Sequence, residues 1–232
     1  TGAIWNGWGA GVRNTRFQPA DHAGLSVSDV PRLRLEWAFG FADTRSARSQ
    51  PTVAGNRLLV SGENRDVYSL DPRTGCTHWT FRAQAPVRAA ITVGRYGGDG
   101  ANGPFAAYRA DTAANVYALD LVTGRQIWTR RVDDHPAAGV TGAPTLYSGR
   151  LYVPVAGIRE EVQASSLTYA CCTFRGSVVA LQAETGDIVW KTYTVDSPQP
   201  RGRNSAGTER YGPAGGGVWN APTIDGRREV LY

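Results

Sequence analysis

Two adjacent cysteines, Cys171 and Cys172, are the most reactive side chains that the sequence places next to each other. Neighbouring cysteines can join only by closing a small, strained ring, so a vicinal disulfide is one interpretation. The other is a pair of small, half-buried residues at the start of a strand, and the residues alone leave both open. A disulfide would indicate an oxidising compartment such as the periplasm. With one further cysteine, Cys76, the chain has no disulfide framework.

Other groups that could do chemistry carry weaker signals. Residues 98–103 match the pattern G-x-G-x-x-G by letter, but no helix is predicted after them, so we interpret them as a surface loop. Glu160 and Glu161 are adjacent in a predicted loop, where paired glutamates are usually solvated. The histidines are isolated and lack the spacing of metal ligands; they are His22, His78 and His135.

A repeated motif predicts the strands that must position these residues. The sequence reads VYSLDPRTGCTHW at 67–79, VYALDLVTGRQIW at 116–128 and VVALQAETGDIVW at 178–190. In each copy two apolar stretches flank a Thr-Gly pair, which predicts a β-hairpin whose glycine adopts a positive φ. Each copy ends in a tryptophan. We expect that ring to pack flat on the neighbouring repeat while its N–H finds a backbone carbonyl.

Two further strands fit before each hairpin. Proline-opened strands with a glycine-containing turn begin at Gln50, Ala143 and Ala221. With copies about 50 to 60 residues apart, this predicts four-stranded propeller blades in the order Pro-strand, return strand, Val-initiated strand, Trp strand. We also expect a strand at 33–39 and a short helical turn at 26–33, capped by Ser28 or Asp29. The chain is therefore all-β, with about four to five blades' worth of strands.

Both ends of the sequence look cut. Thr1 follows no initiator methionine, and Tyr232 ends within an apolar strand. An open arc of blades would leave unpaired edges. We therefore expect residues 1–232 to form one partial propeller domain, truncated at the C-terminus, which further blades close into a ring.

Composition excludes two classes of partner. The net charge of +5 comes almost wholly from arginine, since Lys191 is the only lysine. The arginines are scattered without a basic cluster or a stripe of aromatic residues, so we predict no nucleic-acid binding. No apolar run approaches the roughly 18 residues of a membrane span. Seven Trp, ten Tyr and 28 Gly suit aromatic blade contacts and tight turns.

Four stretches together resemble the PQQ-dependent (quinoprotein) alcohol dehydrogenases, and among these the polyvinyl-alcohol dehydrogenase branch. They are residues 5–19, 25–41, 75–94 and 169–181, which include WNGWGAGVRNTRFQP and YACCTFRG. The resemblance implies about half of an eight-bladed ring. It implies oxidation of a secondary or polymeric alcohol by hydride transfer to the quinone beside a Ca²⁺ ion. It also implies a periplasmic protein, a possible cytochrome c acceptor and a disulfide between Cys171 and Cys172.

The resemblance assigns roles to individual residues. Trp219 falls where the family places the tryptophan that stacks on the quinone, Arg88 where an arginine contacts it, and Thr141 where a hydroxyl reaches a quinone carboxylate. Glu160 or Glu161 is the implied metal ligand. A packing tryptophan, a surface salt bridge and an ordinary strand threonine remain the alternatives for the first three.

The chain also departs from the family pattern. Its cysteine pair lies one blade later than in many of these enzymes, so a cofactor-covering role depends on loop geometry. Arg48 lies near the position where these enzymes have a glutamate, which suggests a different way of binding an anionic quinone. The asparagine ligand and aspartate base are expected beyond Tyr232. The competing hypothesis is a non-catalytic propeller that binds proteins in the cell envelope; an Asn-containing turn and an Asp beyond 232 would discriminate the two.

Overall fold

The computed structural model describes residues 5–96 and 103–232, and these include two four-stranded antiparallel sheets and one five-stranded sheet, which we call blades 1 to 3. Most of the 98–103 stretch lies outside the described residues. Blade 1 comprises β1 Thr52–Ala54, β2 Arg57–Ser61, β3 Asp66–Leu70 and β4 Thr77–Arg82. Blade 2 comprises β5 Thr92–Arg95, β6 Phe105–Ala110, β7 Asn115–Asp120 and β8 Gln126–Arg131. Blade 3 comprises β9 Ala138–Gly139, which pairs with β11, and β10 Thr145–Tyr147, β11 Arg150–Gly157, β12 Ser177–Gln182 and β13 Ile188–Tyr193.

Two hairpins follow blade 3, and short helical turns complete the described elements. The hairpins are β14 Gln199–Arg203 with β15 Glu209–Gly212, and β16 Ile224–Asp225 with β17 Val230–Leu231. The turns are α1 Ala20–Ala23, a 3₁₀ helix at Val27–Arg32 and α2 Glu160–Gln163. None of the helices in the described part of the chain is long and apolar enough to cross a membrane.

The repeated motif forms the third and fourth strands of each blade, and the predicted strand order is confirmed. The turn glycines Gly75, Gly124 and Gly186 have φ of 72°, 73° and 75°, as the Thr-Gly signal predicted. In blade 1 the carboxylate of Asp71 accepts the main-chain N–H groups of Arg73 and Thr74 at 2.8 and 3.0 Å. These bonds, that from Arg73 first, lower the pKa of Asp71.

The tryptophans that close blades 1 and 2 each lie on the turn glycine of the next blade, whereas Trp190, which closes blade 3, has no such contact among the described residues. The Trp79 ring covers Gly124 and its Nε1–H donates to the Leu121 carbonyl at 3.1 Å. Trp128 covers Gly186 and donates to the Ala183 carbonyl at 3.0 Å. The predicted packing and hydrogen bond are confirmed for both. Only glycine fits beneath each ring, because an added Cβ would collide with the indole.

The predicted strand at 33–39 is wrong. Residues 33–41 are irregular and pair with no described strand. Trp37 nevertheless covers Gly75 and donates to the Pro72 carbonyl at 3.3 Å, as a blade-closing tryptophan does. The segment has the contacts of a fourth strand but lacks a third strand to pair with, since residues 5–32 form none.

The helical turn predicted at 26–33 is present as the 3₁₀ helix. Its cap differs from the prediction in detail, because Ser26 precedes the helix and donates its main-chain N–H to the Asp29 carboxylate at 2.8 Å.

The first strands of the blades are linked by a repeated side-chain hydrogen bond. Thr52 donates to the Ile91 carbonyl at 2.6 Å, Thr92 to the Pro144 carbonyl at 2.5 Å, and Thr145 to the Pro222 carbonyl at 2.7 Å. Each accepting residue immediately precedes the corresponding threonine of the next blade, the last of these being Thr223. The first strands therefore stand side by side at one level, while the fourth strands are mostly exposed.

The N-terminal segment crosses these first strands. Trp5 exchanges main-chain hydrogen bonds with Val53 of β1, both at 2.9 Å. The Asn6 side chain bonds both main-chain groups of Val93 at 2.6 and 2.7 Å. Farther along, the Asn14 amide donates to the Thr223 hydroxyl at 3.0 Å. Residues 5–14 thus bridge blades 1 and 2 to the hairpin that follows blade 3.

Candidate functional site

All the residues predicted to bind cofactor or metal lie at one end of the blades. In an antiparallel meander, the second-to-third strand loop and the connection to the next blade emerge at the same end, and the Thr-Gly turns at the other. The predicted residues all belong to the former two kinds of loop. They are Arg48, Arg88, Thr141, Glu160, Glu161, Cys171, Cys172 and Trp219.

Four of these residues occupy one equivalent position in successive repeats. Arg48, Arg88, Thr141 and Trp219 each stand four residues before a first-strand threonine: Thr52, Thr92, Thr145 and Thr223 respectively. Because hydrogen bonds between neighbouring first strands hold those threonines at one level, the four residues form a row across the chain. We call this row the arc. The sequence contained this signal, which the prediction of individual roles did not use.

The first two arc residues meet at a carboxylate that the sequence analysis missed. Glu63, in the loop between β2 and β3, places Oε1 2.8 Å from Nε of Arg88 and 3.3 Å from Nε of Arg48. Arg48 also donates from Nε to the Ser46 hydroxyl at 3.2 Å. The alternative of a salt bridge for Arg88 is therefore realised, and it joins two of the predicted cofactor residues to each other.

The loop that carries Arg88 is held by a buried aspartate of blade 2. Asp111 accepts the Ala85 main-chain N–H at 3.2 Å and the Tyr117 hydroxyl at 2.7 Å. The same hydroxyl oxygen accepts the Gln84 N–H at 3.1 Å. Burial is the first cause of a raised pKa for Tyr117, which keeps the phenol protonated. The backbone under Arg88 is thus fixed before any ligand arrives.

Arg109 lies fully buried beside this network. Its guanidinium faces the rings of Tyr117 and Phe81, with centroids 5.0 and 5.6 Å away, and donates no hydrogen bond to the described residues. Burial lowers the pKa of Arg109 to about 10, while Tyr117 and Asp111 oppose the shift. The group therefore stays cationic at neutral pH and adds positive potential beneath the loop of Arg88.

The last two arc residues are in contact with each other. The Thr141 hydroxyl donates to the main-chain carbonyl of Trp219 at 3.4 Å, and the Trp219 side chain is 68% exposed. The segment before Trp219 runs close against blade 3, where an added Cβ at Gly176 would collide with the Gly216 main chain. The described residues leave most of the Trp219 ring exposed, and both its stacking on a quinone and the alternative of a packing tryptophan stay predictions.

Glu160 and Glu161 have opposite surroundings. Glu160 is buried and its two oxygens accept the main-chain N–H groups of Thr173 and Phe174 at 2.8 and 2.9 Å, and the Tyr169 hydroxyl at 3.2 Å. Glu161 is exposed. Among residues 5–96 and 103–232, no three His, Cys, Asp or Glu side chains are grouped as a metal site. Glu160 therefore anchors the loop, whereas the side chain of Glu161 is exposed, and metal binding by either residue stays a prediction.

The sulfurs of Cys171 and Cys172 are bonded to each other as a vicinal disulfide. Their main chain pairs with strand β15: Tyr211 N–H donates to the Cys171 carbonyl at 2.7 Å, and Cys172 N–H to the Tyr211 carbonyl at 3.5 Å. The disulfide therefore lies against the hairpin β14–β15, in the loop that Glu160 anchors, and its described contacts do not include the arc.

A separate cleft of about 470 Å³ lies between blades 2 and 3. His135 and Lys191 line it. Although His135 looks isolated in the sequence, its Nε2 lies 3.0 Å from the Thr173 hydroxyl, and its Nδ1 accepts the Ala137 N–H at 3.1 Å. Lys191 pairs with Asp133 at 2.5 Å. The cleft is lined by side chains of both charges, and His135 and Lys191 already have partners within it. The arc therefore remains the stronger candidate for the cofactor site.

Several known proteins have sequences similar to this chain. The family model PQQ_2, described as outer membrane protein assembly factor BamB, matches residues 24–210. A polyvinylalcohol dehydrogenase from Pseudomonas sp. is 42% identical over 98% of this chain and 35% of the relative. Another, from Sphingopyxis sp. (strain 113P3), is 39% identical over 98% of this chain and 34% of the relative. The chain thus spans about a third of the length of these relatives.

Solved structures give the fold. Quinohemoprotein alcohol dehydrogenase ADHIIG from Pseudomonas putida HK5 superposes with a TM-score of 0.73 over 99% of this chain and 34% of that chain, at 22% identity. The quinohemoprotein alcohol dehydrogenase from Comamonas testosteroni superposes with a TM-score of 0.64 over 83% of this chain and 27% of that chain, at 23% identity. The architecture is of the β-propeller type.

Proposed function

Because this chain belongs to the PQQ-dependent (quinoprotein) alcohol dehydrogenases, on the polyvinyl-alcohol dehydrogenase branch, we propose that the protein containing it oxidises an alcohol with PQQ. When bound, the quinone supplies the two-electron acceptor for hydride from the alcohol carbon. We propose that residues 1–232 form one partial domain of about four to five blades' worth of strands, belonging to an eight-bladed ring.

The observation that carries this proposal is the arc. PQQ is a flat molecule with several carboxylates, and the arc offers two guanidinium groups, a hydroxyl and an exposed indole at one level. Guanidinium forks bind carboxylates with geometric precision, and an indole face stacks on a planar ring. Arg48 and Arg88 would hold carboxylates and Trp219 would form the floor. Thr141 would donate a hydrogen bond by turning its single hydroxyl proton away from the Trp219 carbonyl, 3.4 Å away. These residues fit the group.

Calcium is the metal that we propose to accompany the quinone in the whole protein. Calcium takes six to eight oxygen ligands in its sites. The described residues do not by themselves fit such a site, since Glu160 spends both oxygens on main-chain N–H groups and only Glu161 is free nearby. Glu161 is the candidate ligand, and Glu160 could ligate only by releasing the disulfide loop.

Main-chain hydrogen bonds between the two cysteines and Tyr211 hold the loop between β11 and β12 against the hairpin β14–β15. The vicinal disulfide stiffens the dipeptide that makes these bonds, and this limits the motion of the loop beside the site. We propose that Cys171 and Cys172 shield the cofactor region from solvent in this indirect way. A disulfide also suits an oxidising compartment, which is the ground for a periplasmic location. The substrate class is a secondary or polymeric alcohol, after the names of the relatives, and the electron acceptor a cytochrome c.

The test is reconstitution of the apo-protein that contains this chain. PQQ and Ca²⁺ are added, PQQ binding is followed by quenching of tryptophan fluorescence, and dye reduction is measured with primary, secondary and polymeric alcohols. We expect saturable PQQ binding and dye reduction that needs an alcohol. A protein that binds no PQQ would overturn the proposal and favour the protein-binding propeller.

A further inference from the structure

Among the described residues, Glu63 is the one acidic side chain that contacts two residues of the arc. We propose that Glu63 is a positioning residue, which orients Arg88 and Arg48 so that their terminal nitrogens face the carboxylates of the quinone. This inference rests on the proposed function and adds to it a residue that neither the sequence motifs nor the resemblance indicated.

The atoms in contact support the proposal. Both arginines approach Glu63 most closely with Nε, at 2.8 Å for Arg88 and 3.3 Å for Arg48. The Arg88 contact is an ion pair without hydrogen-bond geometry, since among the described residues neither Arg88 Nε nor Glu63 Oε1 has a hydrogen-bond partner. Neither arginine donates a hydrogen bond from its terminal nitrogens to another described group, and the one that Arg48 donates to Ser46 comes from Nε. A guanidinium paired through Nε keeps its outer N–H fork available for a carboxylate. One glutamate therefore aligns two forks without occupying them.

The position of Glu63 has a reason in the backbone. Glu63 donates its main-chain N–H to the Ser46 carbonyl at 3.1 Å, which ties the loop between β2 and β3 to the segment that carries Arg48. The Arg88 loop is fixed separately by Asp111. Hydrogen bonds thus fix the main chain near Glu63, Arg48 and Arg88. The ion pairs with Glu63 then set only the direction in which the two guanidinium groups point.

Removing the charge of Glu63 has two opposed effects on an anionic ligand. The net charge of the cluster rises from +1 to +2, which favours binding, but the side chains of Arg88 and Arg48 are 32% and 60% exposed, so this gain is screened. A screened charge contact changes affinity by about twofold to fivefold. Re-immobilising two long side chains costs about tenfold or more. The loss of orientation therefore outweighs the gain from the added charge, and the net affinity for the quinone should fall.

The experiment compares PQQ affinity in the full protein, by fluorescence titration, for wild type and Glu63→Gln. We expect about tenfold weaker binding in Glu63→Gln. In an Arg48→Ala, Arg88→Ala background the same replacement should not weaken binding, because there is no fork left to orient and only the loss of a negative charge, which favours an anionic ligand by at most about fivefold, remains. Glu63→Asp keeps the charge but shortens its reach, and we expect it to weaken binding as well.

The matched control is Asp66→Asn. Asp66 pairs with Arg82 at 3.1 Å in the same blade, and its side chain is 15% exposed against 21% for Glu63. It contacts no arc residue. We expect Asp66→Asn to alter thermal stability about as much as Glu63→Gln while PQQ affinity stays at the wild-type value.

These outcomes distinguish a protein that does not bind PQQ from one that binds PQQ without any contribution from Glu63. Wild-type protein that binds no PQQ overturns the proposed function, and this inference with it. Wild-type protein that binds PQQ while Glu63→Gln binds equally well overturns the inference alone. A loss that persists in the arginine-free background, or that Asp66→Asn reproduces, also overturns it, because the effect then does not pass through Arg48 and Arg88.

Discussion

Replacing Trp79 or Trp219 by alanine removes the same indole from two different environments. Trp79 is 8% exposed, covers Gly124 of the next blade and donates to the Leu121 carbonyl. Trp219 is 68% exposed and belongs to the arc. The two replacements should therefore separate stability from cofactor binding.

The magnitudes follow from the buried surface. A fully buried indole hides about 150–250 Å², which corresponds to about 4–6 kcal/mol at about 25 cal/mol per Å². Large-to-small changes in cores cost about 3–5 kcal/mol, and we expect this loss of unfolding free energy for Trp79→Ala. Trp219 hides about a third of its surface, so Trp219→Ala should cost only about 1–2 kcal/mol of stability. If its ring stacks on the quinone, PQQ affinity should fall by about 1–3 kcal/mol.

The assay is a pair of measurements on both variants of the full-length protein: urea or thermal unfolding, and PQQ titration under conditions where each variant is folded. Trp79→Ala should melt earlier and bind PQQ nearly as wild type does. Trp219→Ala should show the reverse pattern. Equal PQQ affinity in Trp219→Ala and wild type would refute the assignment of the arc as a quinone site, and the protein-binding propeller would then be the better hypothesis.

Three further predictions concern the loops and the turns. The intact mass should rise by two hydrogens on reduction of Cys171 and Cys172, and free thiols on both in protein taken from the periplasm would contradict a native disulfide. Glu161→Gln should weaken the Ca²⁺ dependence of activity. Glu160→Gln should first lower the melting temperature, because the variant loses the charged acceptor of the Thr173 and Phe174 main-chain N–H groups. An unchanged Ca²⁺ titration in the double variant would exclude both residues as ligands. Gly124→Ala should cost about 2–4 kcal/mol of unfolding free energy, since the new Cβ meets an indole at a positive φ, and an unshifted unfolding midpoint would contradict this.

The blade architecture was predictable because its determinants are local. The hairpin turn needs a positive φ, which the Thr-Gly pair predicts, and the tryptophans at the ends of the first two copies pack on the glycine of the next copy. The arc was predictable as well, since the spacing from Arg48 or Trp219 to the first-strand threonine is the same and is visible in the sequence. These features repeat, and repetition reveals them.

The parts that escaped prediction depend on contacts between distant residues that no repeat marks. Glu63 meets Arg88 across two loops of different type, and nothing in either stretch shows that the side chains point at each other. Glu160 is a buried anchor because two N–H groups far along its loop fold back on it. The segment 33–39 has strand composition, but pairing requires a neighbour that composition cannot supply.

The arc separates the residues that hold the fold from those that can vary. In blades 1 to 3 the first-strand threonine fixes the backbone by bonding to the next repeat, and the side chains four residues before these threonines and before Thr223 are two arginines, a threonine and a tryptophan, with no common packing role. Selection can therefore change one blade's contribution to a ligand without disturbing the contacts between blades. A fold arranged in this way can diversify its chemistry one substitution at a time, and related enzymes with different substrates can share nearly all of their core.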